Sequence, residues 1–104
     1  MAQFDVYLNA NPATRKAVPY LLDVQTDLLD VLATRVVVPL VLMDEKDEAA
    51  KQLNPKFKIR GVVVAMSTQE LAGVPVRSLG EKVMSLKGKR DEIIAALDIL
   101  FTGI

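Results

Sequence analysis

Residues 85–104 read SLKGKRDEIIAALDILFTGI. Apolar side chains recur there every three or four positions, which predicts an amphipathic helix with one apolar face. That face comprises Ile93, Leu97, Leu100 and Ile104, widened by Ile94 and Phe101. Gly103 adopts left-handed backbone geometry most easily, so we expect it to close the helix. Because Phe101 and Ile104 are apolar, this end is expected either to dock into the core or to bind another molecule.

The overall composition is that of an ordinary globular protein. The 104 residues are 51% hydrophobic and 25% charged, with 13 basic and 13 acidic side chains. This length fits a single domain over residues 1–104. A net charge of zero provides no general attraction to nucleic acid, so binding of that kind would need a local basic patch.

The chain contains no cysteine and no histidine. Disulfides, thiolate catalysis and cysteine-ligated metal are therefore excluded, and the commonest general base and metal ligand are missing. We predict no metal and no cofactor. The first residues lack the basic and apolar regions of a signal peptide, and no apolar run reaches membrane-spanning length, so we expect a cytoplasmic protein.

The first half of the chain is rich in strand patterns. Residues 3–8 alternate, with Phe4, Val6 and Leu8 on one face, which predicts a half-buried strand. Residues 9–16 collect turn formers and predict a loop. Residues 20–25 predict a second strand, antiparallel to the first because the loop is too short for a parallel crossover. Residues 34–43, TRVVVPLVLM, predict a central strand with a bulge or bend at Pro39.

The second half adds shorter elements before the helix. Residues 44–53 are charged and predict a surface loop or one short helix. Residues 56–59 and 62–66 predict a hairpin around Arg60 and Gly61. A helical turn is expected over residues 67–72 and a last strand over residues 74–79. The pattern indicates an α+β protein with a mostly antiparallel, strongly bent sheet.

The block DVQTDLLD, residues 23–30, interrupts the strand alternation with two adjacent leucines. We expect the strand to end here and to fold Leu28 and Leu29 into the core, with exposure of one leucine as the alternative. The three acids Asp23, Asp27 and Asp30 lack the spacing of a calcium loop. Solvated surface acids, or an ion pair with Arg35, explain them more readily than a metal site or an acid/base pair.

The sequence contains no glycine-rich phosphate loop, no nucleophile elbow and no zinc pattern. The unusual features are apolar residues after a strand and at the end of the helix. These features favour an interaction protein over an enzyme.

Five segments, in order along nearly the whole chain, together resemble the CcdB toxins of plasmid and chromosomal toxin–antitoxin pairs. The segments are QFDVY (3–7), DVQTDLLD (23–30), RVVVPL (35–40), VPV (74–76) and an acid-containing C-terminal helix ending in Gly103 and Ile104. The resemblance implies a small SH3-like antiparallel β-barrel with a short extra sheet and a C-terminal helix, assembled as a homodimer. It also implies a poison that binds the A subunit of DNA gyrase, traps the cleaved gyrase–DNA complex and has no catalytic activity of its own.

The resemblance also implies which residues contact gyrase. The expected gyrase-binding residues are Leu28, Leu29, Asp98, Phe101, Thr102, Gly103 and Ile104. It further implies that a disordered CcdA-like antitoxin wraps the toxin. The charged stretches of the sequence supply the candidate antitoxin contacts Arg15, Lys16, Asp44, Glu45, Asp47 and Glu48, with plain solvated loops as the alternative. For Leu28, Leu29, Phe101, Gly103 and Ile104, core or dimer packing is the alternative role.

Two positions depart from the family pattern. Thr102 stands where the family has a tryptophan, and Asp98 stands where it has an uncharged amide. Loss of a buried tryptophan from an interface commonly costs roughly 2 to 4 kcal/mol. A weaker poison, a differently shaped gyrase surface and an inactive relative are all compatible with this change.

The same barrel resembles that of the MazF and Kid endoribonuclease toxins. An RNA-cleaving toxin that uses Arg35 or a threonine is therefore the alternative function, and a non-toxic protein-binding barrel is a third. Zero net charge and the lack of a local match to those enzymes argue against RNA cleavage.

Overall fold

A curled antiparallel sheet and a C-terminal helix make up the fold in the computed structural model, which describes residues 1–43 and 51–104. The predicted α+β class, a small antiparallel barrel with a C-terminal helix, is confirmed. Within the described residues the elements are β1 (Asp5–Asn9), β2 (Tyr20–Asp23), β3 (Thr34–Leu42), β4 (Lys56–Ile59), β5 (Val62–Met66), β6 (Ala72–Pro75), β7 (Leu79–Ser85) and α1 (Arg90–Thr102).

Strand β3 is the centre of the sheet. The hydrogen-bonded order is β4-β5-β3-β2-β1-β7, and β6 also pairs with β3. One edge of β3 pairs with β2, while the other pairs with β6 near Thr34 and with β5 near Leu42. The antiparallel pairing of β1 with β2 was predicted and is confirmed.

Pro39 lies where β3 changes partner. The β6 pairing ends at Val37 and the β5 pairing begins at Leu40, and between them the Pro39 carbonyl accepts a hydrogen bond from the Ser67 N–H at 2.9 Å. The register against β2 runs through Pro39 without a shift. The expected irregularity is therefore a change of partner rather than a bulge against β2, at a point where a missing N–H costs little.

Helix α1 covers the core, as predicted. Ile93 and Ala96 are buried among residues of the sheet, and Gly103, with φ of 76°, closes the helix by donating its N–H to the Ile99 carbonyl at 3.0 Å. The sequence left the start of the helix open within residues 85–104, and the structure places it at Arg90, because Ser85 ends β7 and a 3₁₀ turn precedes α1. No helix in residues 1–43 and 51–104 has the length and apolarity to cross a membrane.

The last strand differs from the prediction over residues 74–79. β6 ends at Pro75, a 3₁₀ turn follows, and β7 runs from Leu79 to Ser85 beside β1. Gly80, directly after the predicted strand, lies inside β7, where a Cβ atom would sit 2.9 Å from the Leu8 carbonyl oxygen. A close approach of two strands, rather than the end of one, requires this glycine.

Strand β1 is buried on both faces, so the predicted half-buried strand is wrong. Asp5, Tyr7 and Asn9 are all buried, and so is Val6 on the opposite face; β2 and β7 pair with the two edges of β1. Their polar atoms have partners: the Tyr7 hydroxyl donates to Asp5 Oδ2 at 3.3 Å, and Asn9 Nδ2 donates to the Val18 carbonyl at 2.9 Å.

The β4–β5 hairpin is as predicted, and positive φ at Arg60 and Gly61 gives the turn geometry that matches strand twist.

A buried ion pair joins β2 to β3. Arg35 Nη2 lies 2.6 Å from Asp23 Oδ2, and Arg35 Nε donates to the same oxygen at 2.9 Å. Both side chains are fully buried. Removing one partner from such a pair leaves an uncompensated charge in the core, so substitution of either residue should strongly destabilise the fold.

We expect Arg35→Met to lower the free energy of unfolding by roughly 3–5 kcal/mol, because Asp23 would remain buried without its partner. Urea denaturation at pH 7 measures this loss. Lys89→Met is the matched control, since Lys89 and Glu92 form an exposed pair at 3.9 Å that contributes at most about 0.5 kcal/mol. Equal stability of the two variants would contradict a structural role for the buried pair.

Burial and the neighbouring Asp5 carboxylate raise the pKa of Tyr7 to about 12. The unfolded chain ionises its tyrosines near 10, so the folded protein should lose stability as the pH rises from about 10 to about 12. The variant Tyr20→Phe leaves Tyr7 as the only tyrosine. Its tyrosinate absorbance should titrate near pH 12 while circular dichroism shows a folded chain, and titration near pH 10 would refute the expectation.

Candidate functional site

The C-terminal tip, residues 101–104, is apolar and lies on the surface. Phe101 is 68% exposed and Ile104 is 91% exposed. The backbone beneath them is ordered, because Thr102 Oγ1 donates to the Asp98 carbonyl at 2.7 Å and Gly103 closes the helix. Docking of this end into the core, one of the two sequence-based expectations, is therefore wrong in the single chain.

The other tip residues predicted to bind gyrase are also accessible. Asp98, Thr102 and Gly103 are exposed, and the hydrogen bond from Thr102 brings Asp98 and Thr102 together on one side of the last helical turn. The tip thus presents two apolar side chains beside a carboxylate and a hydroxyl.

A second apolar surface is the leucine turn, residues 26–32. Asp27–Leu29 forms a 3₁₀ turn after β2, capped by Thr26, whose Oγ1 accepts from the Leu28 N–H at 3.4 Å. Leu28 is 90% exposed and Leu29 is 46% exposed. The prediction that both leucines fold into the core is wrong, because β2 ends at Asp23 and the tight turn directs Leu28 to solvent.

Two further apolar residues in this turn were not among the predicted sites. Val31 is 94% exposed and Leu32 is 45% exposed. One sign of their exposure lay in the sequence, where Val31 and Leu32 follow Asp30 in a short connection before the central strand begins at Thr34. They extend the exposed apolar surface around Leu28.

Polar side chains hold the leucine turn to the rest of the chain. Arg35 Nη1 lies 3.1 Å from Asp30 Oδ1, and Asp27 Oδ1 accepts a hydrogen bond from the Gln3 N–H at 2.7 Å. Gln25 donates from Nε2 to the Leu29 carbonyl and accepts at Oε1 from the Val36 N–H, both at 3.0 Å. The turn is therefore fixed from β3, from the N-terminal segment and from the end of β2.

The three acids of the block are structural. Asp23 and Asp30 pair with Arg35, which confirms the ion-pair interpretation. Burial raises the pKa of the Asp23 carboxyl above its usual value, against the hydrogen bonds it accepts from Arg35 and the Gln25 N–H. Among the described residues, no three acidic side chains are placed to hold a metal ion.

The candidate antitoxin contacts are only partly within the described residues. Arg15 and Lys16 are exposed on the β1–β2 loop, which Asn9 braces by donating to Thr14 Oγ1 at 2.9 Å. Asp44, Glu45, Asp47 and Glu48 lie outside the described residues. A groove of about 610 Å³ adjoins this loop, and its lining includes Asn11, Leu21, Pro39, Glu70 and Arg77.

The structure keeps the two apolar surfaces on separate elements. α1 packs against the 3₁₀ turns Thr68–Glu70 and Lys87–Lys89, whereas the leucine turn connects β2 to β3. In the part of the chain that is described, no extensive packing joins the leucine turn to α1. The tip and the leucine turn are thus two exposed apolar surfaces, each supported by hydrogen bonds of its own.

Comparison with known proteins agrees with this architecture. A solved structure described as "Endoribonuclease in complex with its cognate antitoxin from Mycobacterial species" is similar with a TM-score of 0.66 and 13% sequence identity, covering 96% of this chain and 93% of that chain. At this identity the likeness shows the fold alone. Residues 3–103 match the family described as "CcdB protein". Because that match spans nearly the whole sequence, the chain belongs to the CcdB family of toxins from toxin–antitoxin systems.

Proposed function

We propose that this protein is the toxin of a type II toxin–antitoxin pair and that it poisons DNA gyrase. It binds the gyrase A subunit and traps the cleaved gyrase–DNA complex, which leads to double-strand breaks. The observation that carries the proposal is the exposure of Phe101 and Ile104 on an ordered helix end in a member of the CcdB family. Exposed apolar side chains on ordered backbone favour protein binding over catalysis.

The proposed gyrase contact comprises the tip and the leucine turn. Burying one large aliphatic or aromatic side chain contributes roughly 1.5–3 kcal/mol, so Leu28, Phe101 and Ile104 together are sufficient to anchor an interface. Asp98 would supply a carboxylate at the rim. Gly103 fixes the direction of Ile104 through its left-handed geometry.

Thr102 makes this contact smaller than the family pattern. Its hydroxyl donates to the Asp98 carbonyl, so its hydrogen is already engaged within the helix. A threonine also buries far less apolar surface than the family tryptophan would. We therefore propose a weaker gyrase poison than members that retain the tryptophan.

We propose that the protein has no catalytic activity of its own. The RNA-cleaving alternative named Arg35 or a threonine as the catalytic group, and Arg35 is fully buried and paired with Asp23. A guanidinium in that position has no access to a phosphodiester, and the chain has no histidine to act as a base. The likeness to the endoribonuclease structure supports a common fold and gives no support for a common activity.

The proposal includes two further interactions. A homodimer would present two tips to the gyrase A-subunit dimer. A CcdA-like antitoxin would bind the exposed basic residues Arg15 and Lys16 and the acidic segment containing Asp44, Glu45, Asp47 and Glu48. A mixed pattern of basic and acidic contacts would select one partner over others.

Deleting residues 102–104 should abolish formation of linear DNA by purified gyrase on supercoiled DNA, because the tip would lose Ile104. The thermal transition should stay nearly unchanged, since these residues are exposed. Val62→Ala, which trims an exposed apolar side chain on β5, is the matched control and should act like the wild type. A truncated chain that poisons gyrase as well as the full chain would refute the proposed contact, and cleavage of a labelled RNA would favour the endoribonuclease.

The homodimer is tested separately from gyrase. Sedimentation equilibrium at micromolar concentration should give twice the chain mass of 11.4 kDa. The physical reason is that a chain of this size buries a limited core and leaves several large apolar side chains exposed. A monomer at that concentration would contradict the dimer and the presentation of paired tips.

A further inference from the structure

The leucine turn is both ordered and apolar on its outside. Leu28 and Val31 are almost fully exposed, yet the backbone carries three successive hydrogen bonds: Leu29 N–H to the Thr26 carbonyl at 3.1 Å, and Asp30 to Asp27 and Leu32 to Leu29, each at 3.2 Å. Ordering a chain segment costs conformational entropy, and side chains that stay exposed to water contribute no burial free energy to offset it. The order must therefore come from contacts on the inner side of the turn.

Arg35 supplies the central inner contact. Its guanidinium is fully buried on β3 and reaches two carboxylates on different segments, Asp23 at the end of β2 and Asp30 in the turn. The planar fork of arginine allows this because its nitrogen donors point in fixed directions. One buried side chain thus connects the sheet to the exposed turn.

The two halves of this bridge are separable. Asp23 is fully buried and belongs to the core, whereas the Asp30 side chain is 53% exposed. Removing Asp30 therefore leaves the buried pair intact and removes only the link from Arg35 to the turn. The bonds of Gln25 to Leu29 and Val36 and the bond from the Gln3 N–H to Asp27 remain as further tethers.

We propose that Arg35, acting through Asp30, is a positioning residue that holds Leu28 and Leu29 in the conformation that binds the gyrase A subunit. This inference rests on the proposed function. A binding surface that is ordered before contact loses less entropy when the partner binds. The apparent affinity equals the intrinsic affinity multiplied by the fraction of molecules in which the surface is ordered. Arg35 touches no partner in this scheme and acts only through the turn.

The test compares Asp30→Ala, Asp30→Asn and the control Glu81→Ala, which removes an exposed carboxylate from β7. Each is titrated against gyrase and supercoiled DNA for half-maximal linear DNA. We expect Asp30→Ala to require about threefold to tenfold more protein than the wild type. Asp30→Asn should require an amount between those of the wild type and Asp30→Ala, because its amide oxygen still accepts a hydrogen bond from Arg35. Glu81→Ala should require the same amount as the wild type.

A second measurement separates positioning from general stability. Amide hydrogen exchange of Leu29, Asp30 and Leu32 should accelerate in Asp30→Ala, while the amides of Leu22 and Val38 in the core strands keep their protection. Unchanged exchange in the turn, or an unchanged gyrase titration, would overturn the positioning role. If the wild type itself forms no linear DNA, the proposed function fails and gyrase is the wrong partner, an outcome distinct from equal activity of wild type and Asp30→Ala.

Discussion

The burial of Arg35 with its charge intact is the constraint on which the other features depend. Moving a guanidinium out of water costs several kcal/mol unless carboxylates and good geometry compensate it. Asp23 meets that requirement at 2.6 Å, and it can do so only if β2 and β3 lie side by side in their observed register. The pair therefore selects one strand alignment among those that the apolar residues alone would tolerate, and it fixes where the following turn begins.

Several polar side chains are buried in this protein, and several large apolar side chains are exposed. Asp5, Asp23, Gln25 and Arg35 are buried and bonded to one another or to the backbone, while several large aliphatic side chains face solvent. No buried side-chain polar atom in the described residues lacks a partner. Such an arrangement places charge in the interior and leaves a fixed apolar surface on the outside.

Local patterns predicted the elements whose geometry is local. Arg60 and Gly61 defined a hairpin, and the apolar spacing before Gly103 defined a helix. Features set by distant segments were not predictable in this way. The place of Gly80 inside β7 depends on Leu8, which is distant in sequence. Leu28 and Leu29 resembled core residues because hydrophobicity alone does not reveal which side of a turn is covered. The buried role of Arg35 depends on Asp30 and Asp23 approaching it together, which the sequence suggested only as an ion pair.

The pairing of β1 with β7 has a consequence for how the chain is made. Asp5 lies opposite Ser85, so one edge of β1 has no partner until most of the polypeptide has been synthesised. Long-range pairing of this kind slows folding, and an open strand edge attracts other chains in the meantime. Helix α1 and its tip follow β7 in the sequence. Because the tip lies after β7 in the sequence, the proposed gyrase contact cannot be complete before the strand that pairs with β1 has been synthesised.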